Sequence, residues 1–212
     1  MDLNFWHNHW EKGETGFHQT GLNPYLAYFY GDKGPAADKR SSLKVFVPLC
    51  GKSMDMQWLS KSGYAVIGVE CSPIAIKDFV KEYGVSIDET INDKHIKYTI
   101  NGEISDGACI ELVQGDFFDL TKTDLHVVTD VFDRASLIAL PEDIRKKYAE
   151  KMSELLDSGV RILLVTMTYQ QHEMDGPPFS VSEDEVNNLY GKNFKIEKIL
   201  SKDTLSNEKR FM

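Results

Sequence analysis

The sequence predicts an α/β protein built on a doubly wound, mainly parallel sheet that follows an N-terminal helical segment. After about residue 42, short apolar runs alternate with segments of helical periodicity, a pattern typical of parallel strands joined by right-handed crossovers. A polar tract with Gly and Pro over residues 31–42 separates this alternation from an aromatic-rich N-terminus. We therefore expect a helical lid and linker over residues 1–40 and a main domain over residues 41–212.

Five core strands are predicted from apolar runs that Gly, Pro or polar residues bound. They cover residues 43–48, 64–69, 110–113, 127–132 and 161–166. Ser53 and Ser72-Pro73 are expected to begin two of the intervening helices, and a third is expected over about 141–156. Residues 97–104 predict a separate small hairpin around the favoured turn pair Asn101-Gly102, outside the alternation of the sheet.

The acidic composition argues against several classes of partner. The chain has 24 Lys and Arg against 33 Asp and Glu, so its formal net charge of −9 would be repelled by phosphate backbones and by anionic lipid. We expect no nucleic-acid or membrane partner. The three cysteines form no ligand pattern and no disulfide framework, which predicts no metal site and a cytoplasmic location. No coiled-coil seam is readable, so a monomer is expected.

Candidate site residues follow the predicted strands, because the ligand of an open α/β sheet lies beyond the carboxyl ends of its strands. Gly51 lets the backbone approach a ligand, and Glu70 lies 19 positions later, close to the roughly 20 typical of a ribose-binding carboxylate. The triplet Gly51-Lys52-Ser53 lacks the earlier glycine of a phosphate loop, since Phe46 occupies that position. A ribose-binding acid without a phosphate loop indicates S-adenosylmethionine; a solvated loop acid is the alternative for Glu70.

Other positions leave two interpretations open. Asp116, after Gly115, could accept from an adenine amino group or merely cap the next turn. Asp133 and Arg134 are expected to form an ion pair at the mouth of the cleft, of catalytic or structural value. Trp10 and Phe17 could line a lid or belong to the core, and His18 could be a general base, although a lone His near a loop is more often structural.

Several blocks of sequence together resemble the thiopurine S-methyltransferases, especially the bacterial ones. They occur in the family's order and spacing: Phe5-Trp6 with Trp10, Gly16–Gln19, Asn23-Pro24, Val45–Ser53, Gly68–Glu70, Gly115–Phe118, Asp133–Ala135, Ala139–Pro141 and Gly176–Phe179. The resemblance implies a class I, Rossmann-like methyltransferase fold that binds S-adenosylmethionine. It also implies methyl transfer to the sulfur of thiopurines or other aromatic or heterocyclic thiols, with selenium and tellurium species as further candidate acceptors.

The resemblance also implies roles for individual residues. Cofactor contacts would come from Trp10, Leu49, Gly51, Glu70, Gly115, Asp116 and Arg134. Phe17, Pro177 and Phe179 would face the acceptor, and Arg134 and Asp133 are the candidate catalytic residues, with Arg134 favouring a thiolate through its positive charge. The family's last antiparallel edge strand is expected to be missing, because the sequence ends at Lys209–Met212 without an apolar run.

Three alternatives to a thiopurine-type enzyme remain open. A thiol, halide or thiocyanate methyltransferase would share the scaffold. A non-catalytic nucleoside-binding module would keep the role of Glu70 without any methyl transfer. An NTPase would need phosphate contacts from Lys52.

Overall fold

The computed structural model of the chain describes residues 2–92, 94–101 and 108–203. Its centre is a seven-stranded sheet with the strand order β3-β4-β5-β2-β1-β6-β7. Strands β5, β2, β1, β6 and β7 are parallel, whereas β4 is antiparallel to both of its neighbours. The bounds are β1 Lys44–Val47, β2 Ala65–Glu70, β3 Ser86–Ile91, β4 Ile96–Asn101, β5 Ile110–Gln114, β6 Asp130–Arg134 and β7 Arg161–Val165. The predicted doubly wound, mainly parallel sheet is confirmed.

Helices cover both faces of this sheet. They are α1 Leu3–Lys12, α2 Pro24–Leu26, α3 Ala37–Arg40, α4 Met54–Lys61, α5 Pro73–Tyr83, α6 Lys122–Leu125, α7 Glu142–Leu155 and α8 Glu183–Tyr190. A π-helical turn over Ala27–Asp32 continues α2. The predicted caps are present, since the Ser53 hydroxyl accepts from Asp55 N and the Ser72 hydroxyl from Ala75 N.

The core is divided between the two faces of the sheet, as alternation along a strand requires. Val45 packs with Leu59 and Phe79 in one buried cluster, and the next residue, Phe46, packs with Tyr148 in the other. Both strand residues are fully buried because β1 lies in the middle of the sheet. Because β1 is central, the turn that follows it lies at the middle of the sheet edge, between the helices of the two faces.

Two strand predictions need correction. β3 and β4 pair as antiparallel strands, and between them the Asn92 side chain accepts from Lys94 N and His95 N. The hairpin belongs to the main sheet, because β4 also pairs with β5. The predicted turn partner Gly102 and the arm Glu103-Ile104 lie outside the described residues. The strand expected from residue 127 begins at Asp130 instead, since Val127 is 74% exposed.

The N-terminal segment contributes to the core as well as to the cleft. Tyr30 is fully buried, and its hydroxyl donates to the Val131 carbonyl, while the Tyr64 hydroxyl donates to the Tyr30 carbonyl. Helix α1 instead lies against the end of β2, with a His7 ring nitrogen 3.2 Å from the Cys71 carbonyl. Within the described residues, no helix has the length and apolar character that crossing a membrane requires.

Candidate functional site

The candidate site lies at the carboxyl edge of the sheet, where the strand order reverses between β1 and β6. One large cleft opens there beneath the N-terminal segment. Its walls include most of the predicted site residues: Trp10, Phe17, Leu49, Gly51, Glu70, Arg134 and Pro177. Asp133, Gly115, Asp116 and Phe179 are not among the residues that line this cleft. The structure therefore brings together side chains that are up to 167 positions apart in the sequence.

Glu70 ends β2 and organises the turn after β1. One carboxylate oxygen accepts from Gly51 N at 2.9 Å, and the other accepts from Ser72 N at 2.7 Å and from the Cys71 thiol at 3.4 Å. Burial raises the pKa of Glu70, and the backbone donors Ser72 N and Gly51 N oppose that rise. A carboxylate has about four acceptor positions, so the oxygen facing Gly51 can still accept a ligand hydroxyl.

Three aromatic rings pack together over this turn. Phe17 packs edge-to-face against Trp6 and Trp10, with centroid distances of 5.9 and 5.6 Å. Trp10 is buried, and its ring lies so close to Gly51 that a Cβ at Gly51 would approach it to 3.2 Å. Gly51 also has a φ of +53°, a conformation that L side chains rarely adopt. Both the nearby Trp10 ring and the positive φ therefore favour glycine at position 51.

Polar contacts join the segment around Phe17 to the sheet and to α4. Both terminal nitrogens of Arg134 donate to the Phe17 carbonyl, at 3.3 and 3.4 Å. The buried Asp55 carboxylate accepts from Asn23 N at 3.0 Å and lies 3.8 Å from the Arg134 guanidinium. Sequence reasoning did not identify Asp55. A carboxylate two residues after the Ser53 cap is typical of an ordinary acid in the first turn of a helix, and its partners are distant in the chain.

The predicted pairing of Asp133 with Arg134 is corrected by the structure. Asp133 is buried, and its carboxylate accepts from the Tyr148 hydroxyl at 2.8 Å and from Leu137 N at 3.2 Å. Adjacent residues of a strand point to opposite faces, so Arg134 reaches the cleft while Asp133 points into the core. Burial raises the pKa of Asp133 to about 6. We therefore assign Asp133 a structural role in place of a catalytic one.

Gly115 and Asp116 follow β5 at the same edge of the sheet. The Asp116 side chain accepts from Phe118 N and caps a 3-10 turn, the structural alternative considered for this residue. A Cβ at Gly115 would lie 2.2 Å from the ring of His95, which is buried opposite it on the β3–β4 turn. Gly115 is thus needed for packing, and the exposed part of Asp116 remains free to meet a ligand.

The loop after β7 forms a second, smaller cavity of about 240 Å³ beside the cleft. Pro177 lines both cavities, whereas Phe179 lines the smaller one only. Phe5, Trp6 and Ala139 are also shared between the two cavities. The two predicted acceptor-side residues of this loop therefore face an apolar recess that adjoins the cleft.

Two residues at the point where the strand order reverses have strained backbone conformations. Leu49 after β1 and Ala135 after β6 have φ values of 45° and 61°, although neither is a glycine. Such conformations cost about 1–3 kcal/mol each and are concentrated at functional sites. Both residues line the cleft. The sequence carries no signal for this strain, because Leu and Ala are ordinary residues at strand ends.

Lys52 lines the cleft, but its ammonium group is already paired. Its ammonium group is paired with Asp78, at 3.7 Å, and with Glu82, both on α5. Because two carboxylates already neutralise it, Lys52 offers little attraction to a phosphate. The described residues also contain no cluster of three or more His, Cys, Asp or Glu that could hold a metal ion.

Comparisons with known proteins agree with this geometry. The model of the family described as thiopurine S-methyltransferase matches residues 1–212. A thiopurine S-methyltransferase of Nitrosospira multiformis is 44% identical over 211 residues, which are 100% of this chain and 91% of that protein. One of Methylococcus capsulatus is 41% identical over 206 residues, which are 97% of this chain and 88% of that protein.

Solved structures of low sequence identity share the fold. Magnesium protoporphyrin IX methyltransferase from Synechocystis superposes with a TM-score of 0.61 at 13% identity, covering 91% of this chain and 89% of that one. A protein that converts a disulfide bond into a thioacetal group in echinomycin biosynthesis gives 0.63 at 16% identity, covering 93% and 81%. The expected class, a methyltransferase that depends on S-adenosylmethionine, is confirmed. The chain belongs to the thiopurine S-methyltransferase family.

Proposed function

We propose that this chain transfers the methyl group of S-adenosylmethionine to the sulfur of a small aromatic or heterocyclic thiol, with thiopurines as model acceptors. Selenium and tellurium species are further candidate acceptors of the same chemical character. The observation that carries the proposal is the aromatic cluster of Trp6, Trp10 and Phe17, which we call the lid: Phe17, held by Arg134, lies over the edge of the sheet where Glu70 lines the cleft. Water exclusion of this kind suits a reaction that neutralises charge.

The cofactor side of the cleft is proposed to be built on the ends of β1 and β2, with the turn after β5 beside it. Glu70 would accept a ribose hydroxyl, Gly51 and Leu49 would lie against the nucleoside, and Trp10 would close over it. Asp116 would accept from the adenine amino group. When bound, S-adenosylmethionine supplies an electrophilic methyl group on a sulfonium. The donors and acceptors present fit this group, because the carboxylate of Glu70 is desolvated and keeps an acceptor position.

The acceptor side is proposed to lie between the lid and the loop after β7. Phe17 would stack on an aromatic acceptor, and Pro177 and Phe179 would surround its apolar substituent in the smaller cavity. Arg134 is near both sides, and its positive charge would favour the thiolate form of the acceptor. Arg134 would also hold the Phe17 carbonyl and so keep Phe17 in place against the acceptor. Most of the rate enhancement would come from positioning the methyl donor and the acceptor in line.

Other functions receive less support from the geometry. A thiol, halide or thiocyanate methyltransferase would need the same cofactor side and remains the nearest alternative. A nucleoside-binding module has less need of a fastened lid, because it has no reaction from which to exclude water. An NTPase would need a free Lys52, which the α5 carboxylates occupy.

The test is methyl transfer from S-adenosylmethionine to a series of substituted thiophenols and alkyl thiols, with 6-mercaptopurine and selenite as further acceptors. We expect thioether product from the thiols. Arg134→Gln should lower kcat/KM more for the weakly acidic thiols than for those already ionised. An equal loss for every acceptor would contradict thiolate stabilisation by Arg134, and the absence of product from every thiol would contradict the proposed function.

A further inference from the structure

The segment that carries His18 lies at the cleft and is held by hydrogen bonds on both sides. On one side of it, the Phe17 carbonyl accepts from Arg134; on the other, Asn23 N donates to Asp55. Between these anchors, His18 N donates to the Thr15 carbonyl at 2.8 Å. The side chain is half-buried and lines the cleft. Its position is therefore set by the same contacts that close the lid.

The imidazole of His18 differs in its contacts from those of the other two N-terminal histidines. Among the residues that the structure describes, none hydrogen bonds to its ring nitrogens, whereas one ring nitrogen of His7 is bound by the Cys71 carbonyl and one of His9 by the Phe5 carbonyl. Those two histidines are tied to the backbone of the lid and of β2. His18 keeps both ring nitrogens for a ligand in the cleft.

The surroundings of His18 favour its neutral form. Burial is the largest influence and lowers the pKa of the imidazole below 6.5, and the nearby cations Lys52 and Arg134 lower it further. Two carboxylates, Glu82 and Asp55, act in the opposite direction, and the net effect is a lowered pKa. A neutral imidazole has one nitrogen lone pair, so at neutral pH it can accept a proton.

Acceptor thiols differ in whether they need such a group. An aromatic thiol is largely ionised at neutral pH, but an alkyl thiol resembles a free cysteine, with a pKa of about 8.5, and is mostly protonated. Positive charge from Arg134 helps to form the thiolate but provides no destination for the proton. A base in the cleft would extend the reaction to these weakly acidic acceptors.

We propose that His18 is the proton acceptor for thiols that are not ionised at neutral pH, which makes alkyl and arylmethyl thiols substrates alongside aromatic ones. The inference rests on the proposed function. The S–H proton of the acceptor moves to an imidazole nitrogen of His18, and the sulfur lone pair forms the new S–CH₃ bond. The bond from that methyl to the sulfonium sulfur breaks, which leaves a neutral thioether, and the imidazolium later loses its proton to solvent.

The experiment compares two acceptors over a range of pH. Methyl transfer to phenylmethanethiol and to 4-nitrothiophenol is measured for the wild type, His18→Gln and His18→Ala, with His172→Gln as a control at an exposed histidine. Both His18 variants should lose about 10²-fold or more in kcat/KM for phenylmethanethiol near neutrality, the range of general-base catalysis. They should change little for 4-nitrothiophenol, and imidazole in the buffer should partly restore His18→Ala.

Several outcomes would overturn the inference. An equal loss for both acceptors would mean that His18 only shapes the cleft, and so would an unchanged rate with phenylmethanethiol. Wild-type transfer to 4-nitrothiophenol alone would also contradict it. Wild type that transfers to neither thiol would overturn the proposed function itself. S-adenosylhomocysteine titrations of each variant separate these cases from a loss of cofactor binding.

Discussion

Replacing Asp133 by Asn should stabilise the protein at neutral pH and leave methyl transfer intact. The folded state raises the pKa of Asp133 from 3.8 to about 6, because burial disfavours its anion. A group with a raised pKa stabilises the fold below its unfolded value and loses that contribution as pH rises through the folded value. At 1.36 kcal/mol per pKa unit, the difference amounts to roughly 3 kcal/mol. Asn can still accept from Leu137 N, and the Tyr148 hydroxyl can rotate to accept from its amide.

The assay is urea unfolding of wild type and Asp133→Asn at several values between about pH 4 and pH 7.5. The unfolding free energy of the variant minus that of the wild type should rise across this range by up to roughly 3 kcal/mol. Glu150→Gln removes an exposed carboxylate from the same helix that carries Tyr148 and should show no such trend. A difference that stays constant with pH would refute the reasoning. Loss of methyl transfer in Asp133→Asn would restore a catalytic role to this carboxylate.

Two further substitutions test packing around the site. Gly115→Ala would place a Cβ 2.2 Å from the His95 ring, so we expect a loss of about 1–3 kcal/mol in unfolding free energy, measured by urea titration; an unchanged stability would show that the ring moves aside freely. Ala139→Leu would fill part of the smaller cavity, so kcat/KM should fall for thiophenols with bulky para substituents and hold for thiophenol itself. An equal fall in kcat/KM for all the thiophenols would show that the para substituent does not lie in the smaller cavity.

The order of the five parallel strands and of the helices between them could be predicted where each has a local signal, whereas β3, α6 and α8 were not predicted. Ser53 and Ser72 cap the N-termini of helices through their hydroxyls, and the apolar runs mark the buried strands. The role of the hairpin was harder to predict, because the pairing of β4 with β3 and with β5 joins segments that no local pattern connects. The turn expected at Asn101-Gly102 stays a prediction, since Gly102 lies outside the described residues.

The parts of the site that sequence reasoning missed are long-range contacts. Asp55 acts through Asn23 and Arg134, which are 32 and 79 positions away, and no periodicity links them. The expected pairing of Asp133 with Arg134 failed for a local reason, because neighbours on a strand face opposite sides. Glu70 could be found in advance, since its distance from Gly51 follows from one strand–turn–helix–strand unit.

Calorimetric titration with S-adenosylhomocysteine tests the central claim most directly. Wild type should bind it, and Glu70→Gln should weaken binding by about 10- to 150-fold, the equivalent of one charge-assisted hydrogen bond worth about 1.5–3 kcal/mol. Glu111→Gln removes a carboxylate from the same sheet that is paired with Lys44, and it should leave the affinity unchanged. No binding by the wild type, or equal binding by wild type and Glu70→Gln, would contradict the account.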